Sequence, residues 1–261
     1  YSKSKKWSIF PFYEAAVIKP FGENRTSNNP VLFDQFCQAQ KLLYQYKKGI
    51  RPVSEIFDIK KLATYYAMLD LLQARHGMVW INQRFYYNPV IGKLEPIAYD
   101  CYSKRPEIST SINDNFAFTI VSEASLKKED FIFYHLFTDR TFVSYYLEEL
   151  EEVSNLEFIN NILVEISKDQ LYYDSLLILE FPLDRYDNHM IRKSAKAIRD
   201  YLPALKSLLE SKTQADLLAI NVNEGIYVDT AVFENTPEFF VNAYTESSNN
   251  NNIQISIHNY F

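Results

Sequence analysis

The stretch Phe57-Asp58-Ile59-Lys60-Lys61-Leu62-Ala63-Thr64-Tyr65-Tyr66-Ala67, and after it Arg84-Phe85-Tyr86-Tyr87-Asn88-Pro89-Val90-Ile91-Gly92-Lys93-Leu94, contains the change of periodicity that decides the fold. In the first part apolar side chains fall at Ile59, Leu62, Ala63, Tyr66 and Leu69, the spacing of a helix buried on one face. Asp58 stands where an N-cap accepts a backbone N–H, and Phe57 is placed to staple onto Leu62. Gly77 reads as the natural terminator. In the second part four strand formers run into Asn88-Pro89-Val90-Ile91-Gly92, which is turn chemistry, and Leu94 to Tyr99 leads back as a second strand. Pro96 has no N–H to give, so it implies a sheet edge or a bulge in the returning strand.

Outward from this centre the chain reads as helices. Toward the N-terminus, Asn29 and Pro30 open a helix that carries Leu32, Phe36, Ala39, Leu43 and Tyr46 and stops at Gly49. Toward the C-terminus, residues 101–126 read as a long irregular segment with one strand-like patch, Phe116-Ala117-Phe118-Thr119-Ile120-Val121. Beyond Lys127, helices are expected over 128–137, 139–153, 155–180 in pieces and 187–211. Met190, Ile191, Ala195, Ile198, Leu202 and Leu205 form the buried stripe of the last one, and Pro203 is expected to kink or break it. The span 214–233 is ambiguous, with Ile226-Tyr227-Val228 a strand candidate. The expected fold class is α+β, mainly helical, with the hairpin set among helices. Residues 1–246 read as one helical domain. Residues 247–261 read as a polar linker, Ser247 to Asn252, and the start of a β segment that stops without a partner. Both ends look cut from a longer chain.

Composition narrows the function. With 261 residues, 47% hydrophobic and 23% charged, the chain is an ordinary globular one, long enough to bury a core without staples. Its 27 Lys and Arg against 33 Asp and Glu leave a net charge of −6, which argues against a nucleic-acid partner. Twenty Tyr and 19 Phe forecast an aromatic-rich core. Five glycines, with no G-x-x-x-x-G-K-[ST] and no G-x-G-x-x-G, exclude a glycine-rich phosphate cradle. Cys37 and Cys101 are either separate thiols or one bridge. No apolar run reaches the ~20 residues of a transmembrane segment.

One pair of residues suggests chemistry. With Tyr87 facing Leu94, Asn82 falls opposite Tyr99, and a single bulge at Pro96 brings it opposite Asp100. An amide oxygen and a carboxylate at one end of a ribbon are hard donors that suit Mg²⁺. By turn chemistry alone the same two residues also serve as turn caps. Asp70, in its helix among apolar neighbours, needs a partner, for which Arg75 and Arg84 are candidates. His135, His189 and His258 are isolated and lack zinc spacing. Glu148 to Glu152 reads as a solvated helix face.

Residues 57–100 also resemble a known family. The match lies in Phe57 to Ala67, Leu69-Asp70-Leu71-Leu72, His76-Gly77-Met78-Val79-Trp80-Ile81-Asn82-Gln83-Arg84-Phe85-Tyr86-Tyr87-Asn88-Pro89, Gly92-Lys93-Leu94-Glu95-Pro96-Ile97 and Asp100. This pattern resembles the CotH-like kinases, atypical and often secreted protein kinases named after a bacterial spore-coat protein. The resemblance implies a kinase-C-lobe-like helical domain with the β-hairpin at its metal site. It implies Mg²⁺ and ATP as cofactors, a protein acceptor, and a secreted or cell-surface location. Asn82 and Asp100 take the metal and nucleotide positions. Kinases place their base Asp five residues before the metal Asn; here that residue is Gly77, so the neighbouring His76 is the candidate base. At a helix C-terminus His76 also has a simpler role as a hydrogen-bonding end group. Lys19 is this chain's candidate for clamping ATP, unless that lobe precedes Tyr1. Gly77 equally suits a catalytically inactive, extracellular binding or scaffold module. A third reading is a glycan-binding surface protein presenting Tyr86, Tyr87, Tyr99 and Tyr102.

Overall fold

The computed structural model describes residues 18–47, 49, 51–79, 82–101, 108–122, 131–182, 188–212, 241–249 and 252–259. The short helix α1 (Glu23–Ser27) precedes α2 (Pro30–Lys47). Asn29 caps α2 through its side-chain oxygen, which accepts from the N–H groups of Val31 at 3.0 Å and Leu32 at 3.1 Å. Gly49, at φ 61°, turns the chain away. After α3 (Val53–Ile56) comes α4 (Ile59–Leu71), whose N-cap Asp58 accepts from Lys61 N–H at 3.3 Å.

α4 ends at Leu71, before Gly77. The terminator is Gln73, held in the left-handed region at φ 48°. Its side chain binds the backbone of Ser109 twice, donating to the carbonyl at 2.6 Å and accepting from the N–H at 3.0 Å. Gly77 serves another purpose, within a 3-10 turn at Arg75–Met78. A Cβ there would lie 2.8 Å from Cys101 Sγ, so glycine permits close packing.

The hairpin is β1 (Phe85–Asn88) against β2 (Lys93–Pro96), with Tyr87 opposite Leu94. Its register is unbroken, and Pro96 sits opposite Phe85 at the strand end rather than in a bulge. Asp58 N–H donates to Leu94 O at 2.8 Å, stitching the ribbon to the start of α4.

Phe116–Val121 is a helix, α5, and not a strand. Two acceptors overrule its β-formers: Asn115 caps it by accepting from Phe118 N–H at 3.0 Å, and Asp70 Oδ1 accepts from Phe116 N–H at 2.9 Å. Helices α6 (Phe131–Thr138), α7 (Arg140–Val153), α8 (Leu156–Glu165), α9 (Ser167–Glu180) and α10 (His189–Ser211) follow. α10 passes through Pro203, because Leu205 and Leu209 beyond it are buried and anchor its last turns. In the acidic run Glu148, Glu151 and Glu152 are exposed, while Glu149 is buried. The terminal apolar run has a partner: β3 (Val241–Asn249) pairs antiparallel with β4 (Asn252–Asn259), so part of the polar tract is strand. The ambiguous span 214–233 lies outside the described residues.

The fold is therefore α+β and mainly helical. α4 and α7 make the most extensive contact between helices. Their core is aromatic: Tyr66 stacks on Phe116 with centroids 4.6 Å apart, and Phe142 stacks on Tyr146 at 5.8 Å. Cys37 and Cys101 are separate thiols. Among the described residues no helix is long and apolar enough to cross a membrane.

Candidate functional site

His76, Asn82 and Asp100 converge just outside the open end of the hairpin. His76 lies in the 3-10 turn after α4. Asn82 N–H donates to Val79 O at 2.8 Å, which folds the next turn back toward it. Ile97 N–H donates to Arg84 O at 2.9 Å, the last tie between the two arms of the ribbon. Beyond it Asp100 adopts a left-handed backbone at φ 54°, a region that Asp enters more readily than most residues. Asn82 and Asp100 thus meet through two turns, not through the bulge at Pro96 that strand pairing would need.

The contacts are close. Asn82 Nδ2 donates to His76 O at 2.9 Å and to Asp100 Oδ2 at 3.0 Å. These two bonds use both amide hydrogens. His76 Nδ1 lies 2.6 Å from the same Asp100 Oδ2 and 3.1 Å from Asn82 Nδ2. A carboxylate oxygen has no hydrogen to give, so Nδ1 is the donor of this contact. Asn82 is 8% exposed, and the side chains of His76 and Asp100 are 27% and 34% exposed. Asn82 Oδ1 and Asp100 Oδ1 take no hydrogen-bond partner among the described residues, so each remains a hard oxygen able to accept.

A supporting network lay outside the sequence reading. Tyr65 O–H and Gln83 Nε2 both donate to Gly77 O, at 3.1 and 2.8 Å, and Tyr66 O–H donates to Gln83 Oε1 at 3.2 Å. The carbonyl between His76 and Met78 is thereby pinned from both α4 and the ribbon. Polar Gln83, next to Asn82 and just before the strand formers, was the available signal.

Gln83 and Arg84, which follow Asn82, also line a cavity of about 730 Å³ bounded by the hairpin, α2 and the residues before α1. Its described walls include Phe36, Tyr46, Phe85 and Tyr87, with the cations Lys19, Lys47 and Arg84 and no carboxylate. Lys19 pairs with Glu23 at 3.4 Å, and the Arg84 guanidinium lies 4.4 Å from the Tyr99 ring centroid.

The remaining candidates do not join the site. Asp70 takes neither Arg75 nor Arg84 as its bonded partner. Its carboxylate accepts from Phe116 N–H and Tyr146 O–H inside the core, and burial pushes it up to about 6. His135 is enclosed by Tyr46 and by Gly49, where a Cβ would lie 2.7 Å from Cε1; burial pushes it down to about 4. Among the described residues no three His, Cys, Asp or Glu side chains gather as a metal cluster. Tyr86 and Tyr99 are exposed, Tyr87 is half-buried, and Tyr102 lies outside the described residues. Compared with known proteins, the chain matches no family model, no curated protein and no solved structure.

Proposed function

We propose that the chain is the helical lobe of a CotH-like atypical kinase that moves a phosphoryl group from Mg²⁺–ATP to a protein acceptor outside the cell or at its surface. The observation that carries this reading is the meeting of His76, Asn82 and Asp100 beside a cation-lined aromatic cavity. Asn82 Oδ1 and Asp100 Oδ1 are hard oxygens of the kind that Mg²⁺ takes, since the ion commonly uses one or two protein ligands and completes its shell with water and phosphates. Bound there, the ion would neutralise charge on the transferring phosphate.

The protein's own residues have distinct tasks. Asn82 holds Asp100 and the His76 carbonyl in one frame. Asp100 keeps the His76 ring in the tautomer whose Nε2 can take the acceptor hydroxyl's proton. Lys19, Lys47 and Arg84 supply the charge that a triphosphate needs, and the aromatic walls suit a purine.

A second reading, the inactive binding or scaffold module, draws on Gly77. Cys101 Sγ fills the space where a side chain at that position would begin, so no acid can stand there. One experiment separates the two. The full chain is titrated with Mg²⁺–ATP, following thermal unfolding and phosphate transfer to itself or a generic protein acceptor. Saturation near 100 Kd adds about 2.7 kcal/mol, which reads as several degrees in Tm. Asp100→Ala and Asn82→Ala should each weaken binding at least tenfold. A shift without transfer supports the inactive module; no shift at any concentration, with both variants indistinguishable from the parent, refutes the nucleotide site.

A further inference from the structure

Glycine at position 77 leaves the turn that carries His76 weakly determined. Cys101 Sγ occupies the place of a side chain there, so the residue after the candidate base has the widest backbone freedom of any. The turn's own closing bond restrains it little, since Val79 N–H reaches His76 O only at 3.4 Å. Side chains take over. Asn82 and Gln83, consecutive in sequence, donate to the consecutive carbonyls of His76 and Gly77, at 2.9 and 2.8 Å. Those carbonyls belong to the two peptide planes that flank Gly77, so holding both fixes its φ and ψ. Tyr65 O–H, at 3.1 Å, holds the Gly77 carbonyl from the α4 side as well.

Gln83 is itself anchored. Gly77 O can only accept, so the Gln83 amide turns Nε2 toward it and Oε1 toward Tyr66 O–H, at 3.2 Å. Tyr66 is 2% exposed and stacked on Phe116, which ties the far end of this chain of bonds to the core. Gln83 and Tyr66 also form part of the cavity wall. We infer that Gln83 is a positioning residue: through Gly77 O it sets the turn that aims the His76 ring at Asp100. Its part in transfer rests on the kinase reading; the aim of the ring does not. Without Gln83, the turn relaxes and His76 Nδ1 leaves its 2.6 Å contact with Asp100 Oδ2.

The ring ¹⁵N resonances of His76 in the full chain test this, labelled at histidine and assigned by their loss in His76→Gln. The spectra are taken at about pH 8, where a free imidazole is neutral. In the parent, Nδ1 should show a nitrogen that keeps its hydrogen. In Gln83→Met, of similar length but without the N–H, the hydrogen should be shared between both ring nitrogens. Should that variant not fold, Gln83→Met with Tyr66→Phe removes the orphaned hydroxyl, and the same change is expected. Asn155→Ala removes the distant cap of α8 and should leave the resonances where they are. Phosphoryl transfer from Mg²⁺–ATP should fall at least tenfold in kcat in Gln83→Met, because misplacing a reacting group costs up to about 100-fold. Unchanged ring resonances in Gln83→Met overturn the inference, as does an equal change in Asn155→Ala. Transfer at the parent's rate in Gln83→Met overturns the role in transfer. A parent without any transfer tells against the kinase reading instead, and the resonances still decide whether Gln83 aims the ring.

Discussion

Two single positions show how burial assigns roles. Asp70 has the sequence signature of a buried acid in search of a cation, yet it accepts from Phe116 N–H and Tyr146 O–H. Tyr146→Phe should therefore cost about 1–3 kcal/mol in a urea titration, since it leaves Oδ2 buried without a donor. The Asp70 carboxyl is raised to about 6 from 3.8. Its contribution to stability is thus full below pH 3.8 and is lost as pH rises through 6. Asp70→Asn should cost more at pH 4 than at pH 8; a constant cost would show that Asp70 does not titrate across that window. Gly77 is the second position. Gly77→Ala drives a methyl into Cys101 Sγ and should cost about 1–3 kcal/mol. Cys101→Ala in the same chain should recover part of it, and a double-mutant cycle with no coupling would rule out the clash.

At the scale of elements, the legible parts were those whose signals are local. Asn29 and Asp58 are caps next to the apolar stripes that they start, and Asn88 to Gly92 is a turn complete in itself. α5 was hidden because its residues favour strands and its second anchor, Asp70, is remote in sequence. Asn115 was the local clue. Asn115→Ala removes the cap and the bond from Nδ2 to Tyr146 Oη at 3.1 Å, so it should cost about 1–2 kcal/mol, more than an exposed cap. A loss near zero would mean that Asp70 alone holds the start of α5. The candidate site was half legible for the same reason. Asn82 and Asp100 flank a recognisable hairpin, but their contact depends on the left-handed backbone at Asp100 and on bonds from Tyr65 and Gln83 to Gly77, none of which has a local pattern.

For the whole molecule, two buried groups set opposing responses to acid. His135 is held near 4 against 6.5 in a free chain, because its burial beside Tyr46 and Gly49 penalises the charged ring. Its contribution is present above pH 6.5 and is lost as pH falls through that value toward 4. Asp70 works in the opposite direction over nearly the same interval, gaining as pH falls from about 6. Each shift of roughly two units corresponds to a few kcal/mol, so the two largely cancel in the intact protein. Removing one should expose the other. Between pH 7 and 4.5, Asp70→Asn should lose stability more steeply than the parent, and His135→Leu less steeply. Urea midpoints at three or four pH values would measure both slopes. Variants that run parallel to the parent would show that the acid response arises elsewhere, among the exposed carboxylates, and that burial of these two groups leaves the pH dependence of the fold unchanged.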